Sequence, residues 1–136
     1  MAASPVKVSW KGRACVTQLR LGAARGLEAW GKLIIKDAQR LIKTTPRGGK
    51  KRGGHVASIA GQPPASATGV LISSFKIKRE ELKLEVINDA PHAGMLEGGT
   101  KKMGARPFMK PAAINTTQKG IEAFVKSMRG ATRYGK

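Results

Sequence analysis

From Val16 to Leu41 the apolar residues recur at steps of three or four: Val16, Leu19, Ala23, Leu27, Trp30, Ile34, Ala38 and Leu41. Steps of that size line one side of an α-helix, so this stretch reads as one long helix. Arg20, Arg25, Lys32, Lys36 and Arg40 fall mainly off the stripe. Gly22, Gly26 and Gly31 interrupt it, each at a cost of about 1 kcal/mol relative to alanine. A helix carrying them needs tertiary packing, and a bend or break is expected near Gly22–Gly26. The same small residues let a second helix approach closely. Pro46 ends the helix, because the residue before a proline avoids the α region. Upstream, Val6–Trp10 alternates and reads as a short strand closed by Gly12.

The clearest strand pattern follows Val70-Leu71-Ile72. Phe75, Ile77 and Arg79 alternate with Lys76 and Lys78, and Leu82, Leu84 and Val86 alternate with Lys83 and Glu85. A two-residue period on both sides of Glu80-Glu81 predicts a β-hairpin with one apolar face, turning at that pair. Asn88-Asp89-Ala90-Pro91 breaks the second strand. One helical turn is expected from His92 to Leu96, ended by Gly98-Gly99. Pro107 or Pro111 suits a first helical turn. Ile114, Ile121, Phe124, Val125 and Met128 form the expected inner stripe of a C-terminal helix that Gly130 ends. The expected fold is α+β: one domain over 1–136, with a small antiparallel β-sheet packed against a long N-terminal helix and a C-terminal helix.

Between the first helix and the hairpin, Pro46–Gly54 has no apolar residue and four glycines. With Gly61-Gln62-Pro63-Pro64 it predicts a flexible basic loop at about 44–66. A connection of about twenty residues in a small domain is often functional. Lys43, Arg47, Lys50, Lys51 and Arg52 make it the strongest binding candidate. The whole chain carries 26 Lys and Arg against 8 Asp and Glu, a net charge of +18 over 136 residues. From Ala38 to Arg79 there is no acid at all. Self-repulsion on that scale opposes compaction unless something anionic is near. Nucleic acid is the first candidate, an acidic protein surface the second, a membrane the third. Phosphate contacts would be salt-sensitive and indifferent to sequence. Aromatic residues are only 4%, too few to favour stacking on single strands.

Catalytic grammar is absent. Cys15 is the only cysteine, so no internal disulfide forms, and it reads as a small residue near a helix start. His55 and His92 have no metal-ligand spacing with it and read as surface or packing residues. Asp89 and Glu97 are the only plausible carboxylate pair for a metal-dependent nuclease. Asp89 reads as part of a turn with Asn88, and Glu97 as a structural ion pair with Lys101, Lys102 or Arg106. The expectation is a non-enzyme without cofactor, metal or small-molecule substrate. No apolar run reaches the ~18 residues of a membrane helix, and the N-terminus lacks the pattern of a secretion signal. A role in the cytoplasm, or in something assembled there, is expected.

The second half also carries an ordered set of short motifs. Pro64 precedes Thr68-Gly69-Val70-Leu71-Ile72-Ser73-Ser74, and two strands follow. Ala90-Pro91-His92-Ala93 leads to Glu97-Gly98-Gly99-Thr100, and Pro107-Phe108-Met109-Lys110-Pro111-Ala112 closes the set. In this order the chain resembles the neck or tail-completion family of long-tailed bacteriophages, the gene-product-ten-like head–tail connector proteins. Gly98 stands where an aromatic is common in that family, and His92 where a tyrosine is common. The resemblance implies an α+β subunit of a virion, set in a homo-oligomeric ring at the head–tail junction or upper tail end. Sixfold symmetry is the expectation and twelvefold the alternative. Other connector and tail proteins, and packaged double-stranded DNA, are the implied partners. It further implies structural roles for Thr68, Gly69, Leu71, Ser74, Glu97, Gly99, Thr100, Pro107, Phe108 and Pro111. Gly99, together with the neighbouring Gly98, would permit positive φ, Thr100 would bond the turn backbone, and Phe108 would anchor the last helix on the sheet. The alternative reading is a free-standing, sequence-nonspecific nucleic-acid-binding protein.

Overall fold

The computed structural model describes Ser9 and residues 11–133. Apart from Ser9, the expected Val6–Trp10 strand lies outside the described residues. Helix α1 runs over Gly12–Thr44, followed by two short strands, β1 (Lys51–Arg52) and β2 (His55–Val56). A single turn, α2 (Val70–Ser73), leads into β3 (Phe75–Glu80) and β4 (Lys83–Asn88). Helix α3 spans Ala93–Gly98, and α4 spans Met109–Thr132. The fold is α+β, with two separate two-stranded antiparallel sheets, β1–β2 and β3–β4, and two long helices.

Helix α1 is continuous; the expected break at Gly22–Gly26 does not occur. Its glycines are contact points. A Cβ on Gly22 would lie 2.6 Å from the Ala131 Cβ, and one on Gly26 would lie 2.9 Å from the Phe124 Cα. One on Gly120 of α4 would overlap the Trp30 indole. The two helices run antiparallel, and the Ser127 hydroxyl donates to the Gly22 carbonyl at 2.8 Å. Asn115 Nδ2 donates to Asp37 Oδ2 at 3.1 Å further along the same seam. Close backbone approach offsets what the glycines cost in helix propensity.

That geometry corrects the expected inner faces. On α4 the buried residues are Ala112, Thr116 and Gly120. Ile114, Ile121 and Val125 are 65%, 45% and 39% exposed. On α1 the buried positions are mostly small, with Val16 on the outside. Large apolar side chains mark a helix's inner face only when the partner stands off far enough to fit them. Phe124 and Met128 of the expected stripe do face α1, at Gly26 and Gly22, but the helices touch so closely through glycine that Ile114, Ile121 and Val125 point away. Gly130 lies inside α4, which ends at Thr132 rather than before it.

The β3–β4 hairpin matches its alternation. Ile77 pairs with Val86, and Arg79 with Leu84. Ile77, Leu84 and Val86 lie over Gly31 of α1, while Arg79 reaches Glu28 at 2.6 Å and Arg20 reaches Glu81 at 3.3 Å. The turn falls at Glu81-Leu82, one residue later than expected, with Glu81 at φ 31° and Leu82 on the outside. At the other end of α1, Ala38, Ile42, Leu71, Ala90, Ala93, Phe108 and Ala112 form the buried core. Phe108 meets Phe75 edge to face with centroids 6.0 Å apart. Gln39 Nε2 donates to the Ile72 carbonyl at 3.0 Å and Asn88 Nδ2 to the Leu71 carbonyl at 2.8 Å, which ties α2 between α1 and the hairpin.

Candidate functional site

The expected loop at 44–66 is built around the β1–β2 hairpin. Lys51 pairs with Val56 and Arg52 with His55. Lys50, Lys51 and Arg52 are exposed on it. Lys43 projects from the last turn of α1, and Arg47 donates to the Ser66 carbonyl at 3.2 Å. Among the described residues none of these five cations joins an ion pair. They form an exposed, electrostatically unsatisfied edge.

The residues of the ordered motifs fall into two sets. Thr68 is exposed ahead of Gly69, which precedes α2, and Leu71 is 5% exposed in the core. The Ser74 hydroxyl donates to the Val70 carbonyl at 2.6 Å, and its carbonyl accepts from the Asp89 N–H. At the other end of the set, Glu97 holds the start of α4. Its Oε2 accepts from the N–H of Phe108 at 2.8 Å and of Met109 at 3.0 Å, and its Oε1 from that of Lys110 at 2.9 Å. Pro111, next in line, has no N–H to satisfy. The orphan donors that every helix start presents are thus accounted for by one carboxylate and one proline. A negative charge at the positive end of the helix dipole adds to this.

The expected ion pair of Glu97 with Lys101, Lys102 or Arg106 is therefore replaced by backbone capture. The chain reversal that allows it passes through Gly99, at φ 75° and ψ 179°. A Cβ there would lie 2.8 Å from the Ala105 nitrogen, so glycine is required on two counts. Gly98 remains helical. Thr100 and Met103 exchange backbone hydrogen bonds at 2.8 and 3.2 Å, and the Thr100 hydroxyl accepts from the Lys102 N–H at 3.3 Å. Pro107 is half-buried ahead of the fully buried Phe108.

Asp89 and Glu97 do not form a metal pair. Asp89 reaches Lys76 at 2.5 Å, and among the described residues no group of His, Cys, Asp and Glu has metal-holding geometry. Cys15 is exposed in the first turn of α1. No helix of the described residues is long and apolar enough to cross a membrane.

The structure also brings together residues that the sequence kept apart. The β1–β2 hairpin and the segment Ser58–Ala60 face the α3 region and the turn leading to Arg106 across a cleft of about 1070 Å³. Arg106 Nε donates to the Ser58 carbonyl at 3.1 Å, and the Gly61 N–H to the Ala105 carbonyl at 2.8 Å, which fixes the two walls. His55 and His92 both line it. The nearest hint in the sequence was the absence of acids across the whole basic segment.

Comparison with protein-family models, with curated proteins and with solved structures finds no match to this chain.

Proposed function

We propose that the chain is a structural subunit of a tailed-phage virion, a neck or tail-completion protein that closes into a ring at the head–tail junction. The observation that carries this reading is the grip of Glu97 on the Phe108–Lys110 N–H groups. It joins the Glu-x-Gly-Thr and Pro-Phe-x-x-Pro-Ala segments of the resemblance into one working part. Motifs that depend on one another physically are less open to coincidence than motifs scattered over a surface.

The uncovered surface supports assembly. Nine large hydrophobic residues are exposed among the described residues, while only seven hydrophobic residues are buried, four of them alanine. Ile114, Ile121 and Val125 line up along α4, the kind of apolar strip that a neighbouring subunit covers. In a cyclic ring that contact is heterologous, one face meeting a different face of the next copy. The basic edge then faces DNA or acidic neighbours, which offsets the +18 charge. The ring is expected to have six copies, with twelve as the alternative, and to assemble in the host cytoplasm.

The exposed cations favour a second reading, a free-standing nucleic-acid-binding protein. Light scattering and electron microscopy of nuclease-treated protein in high salt separate the two. A ring of discrete mass is expected. A monomer whose only large species vanish with nuclease and salt would replace the first reading with the second.

A further inference from the structure

The cleft between the β1–β2 hairpin and the Arg106 turn has a mixed lining. Lys50, Arg52, His55, His92, Lys102 and Arg106 all contribute to it, from both walls. Among the described residues no aspartate or glutamate lines it. Between these bases lie Ile59, Met95, Leu96 and Met103, of which Ile59 and Met95 are 51% and 50% exposed. The wall also holds Ser58, which is 1% exposed with a hydroxyl that has no hydrogen-bond partner among the described residues.

We infer that this cleft receives an acidic polypeptide segment of a partner protein, one that interleaves carboxylates with apolar side chains. The inference rests on the reading of Lys50 and Arg52 as partner-facing and adds the partner's chemistry. Cations with no local counter-charge recognise carboxylates or phosphates alike. The apolar floor decides between them. Nucleic-acid interfaces are polar and strongly positive, and a duplex presents its phosphates on a convex cylinder that would ride on the rim and leave Ile59 and Met95 wet. A single strand would need aromatic platforms, and among the described residues none lines the cleft. An extended peptide can place carboxylates on the rim and aliphatic side chains on the floor together. His55 on β2 and His92 ahead of α3 sit among Lys50 and Arg52 of one wall and Lys102 and Arg106 of the other.

The test is fluorescence anisotropy with the full chain and two probes. One is a labelled peptide of about a dozen residues alternating glutamate and leucine, and the other is a random-sequence DNA duplex of about twenty base pairs. The peptide is expected to bind more tightly in physiological salt. Removing the rim charges together (Lys50→Ala, Arg52→Ala, Lys102→Ala) is expected to weaken it about tenfold. The floor variant Ile59→Ser with Met95→Ser is expected to weaken it about fivefold or more. Circular dichroism checks that each variant is folded, and Lys50, Arg52, Ile59, Met95 and Lys102 are all exposed. A duplex that binds as tightly as the peptide, indifferent to the floor variant, would overturn the inference, as would binding of neither probe. Light scattering on the same samples keeps the two proposals apart. An intact ring that ignores the peptide refutes this inference alone, and a peptide-binding monomer refutes the ring alone.

Discussion

Replacing Glu97 with alanine removes the acceptor for three backbone N–H groups at once, at 2.8, 3.0 and 2.9 Å. Two of those hydrogen bonds are partly buried, to Phe108 and Met109, and the third, to Lys110, is exposed. A hydrogen bond to a charged group is worth about 1.5–3 kcal/mol net. The exposed N–H recovers water, and losing one acceptor does not cost three independent bonds. A loss of about 3 kcal/mol follows, the two partly buried donors supplying nearly all of it. For a chain of this size that is a fall in melting temperature of roughly 10 °C. Glu97→Gln keeps a carbonyl oxygen but turns an NH₂ toward N–H donors, so it should fall between wild type and alanine. Urea unfolding at fixed protein concentration gives the values, with unchanged slope as the check on two-state behaviour. Amide exchange at Phe108–Lys110 should rise in parallel. A Glu97→Ala midpoint within about 0.5 kcal/mol of wild type, the range of an ordinary surface change, would refute the capping argument and with it the claim that the two motif segments form one part.

Gly120→Ala should cost about 2–3 kcal/mol by driving a methyl into the Trp30 indole, more than the roughly 1 kcal/mol that helix propensity returns. Gly130→Ala, in open space on the same helix, is the control and should be neutral or stabilising in urea. Phe108→Ala should cost about 3–5 kcal/mol, and a double-mutant cycle with Phe75→Ala should recover a coupling of about 0.5–1.5 kcal/mol from the edge-to-face pair. The ammonium of Lys32, and then Arg79, hold the Glu28 carboxyl below its ordinary pKa, and Lys83 does the same for Glu85. A depressed carboxylate contributes stability that is complete above the unfolded-state pKa and fades as pH falls through the folded-state value. Stability should therefore decline below about pH 4, and Glu28→Gln should flatten that decline in pH-dependent thermal melts.

The sequence made some of this architecture legible and hid the rest for definite reasons. Ile77, Leu84 and Val86 announced the hairpin because its inner face packs side chains, and a two-residue period records that directly. Helix α1 was legible as a helix, with Ile34, Ala38 and Leu41 of its stripe in or against the core and the close approach at its glycines expected, while Val16 was wrongly placed inside. On α4, Phe124 and Met128 face α1 as expected, whereas Ile114, Ile121 and Val125 were assigned inward and lie outside. Glu97 was singled out correctly and given the wrong partner, since the capped helix begins eleven residues later and the turn at Gly99 decides which N–H groups it meets. The mixed cleft could not be read at all. Its walls come from Lys50–Ala60 and His92–Arg106, and only the bonds of Arg106 to Ser58 and Gly61 to Ala105 bring them together.

The outward stripe on α4 is specified by the fold rather than left over from it. Turning the helix by one residue, about 100°, would bring Ile121 to the position of Gly120, where Trp30 leaves no room for a Cβ, let alone a branched chain. It would also pull the Phe108–Lys110 N–H groups away from Glu97. Two independent contacts at different points of α4 therefore keep Ile114, Ile121 and Val125 in solvent. If a neighbouring subunit covers that stripe, folding and assembly separate cleanly by position. Ile121→Ser with Val125→Ser should leave the unfolding free energy of the isolated subunit within about 0.5 kcal/mol of wild type. The same pair should abolish the ring in light scattering, because two apolar anchors at the contact are lost. Gly120→Ala should do the reverse at first, weakening the subunit while leaving the stripe's chemistry intact. A serine pair that assembles normally would remove α4 from the subunit interface, and one that unfolds the subunit would show that the stripe faces inward after all.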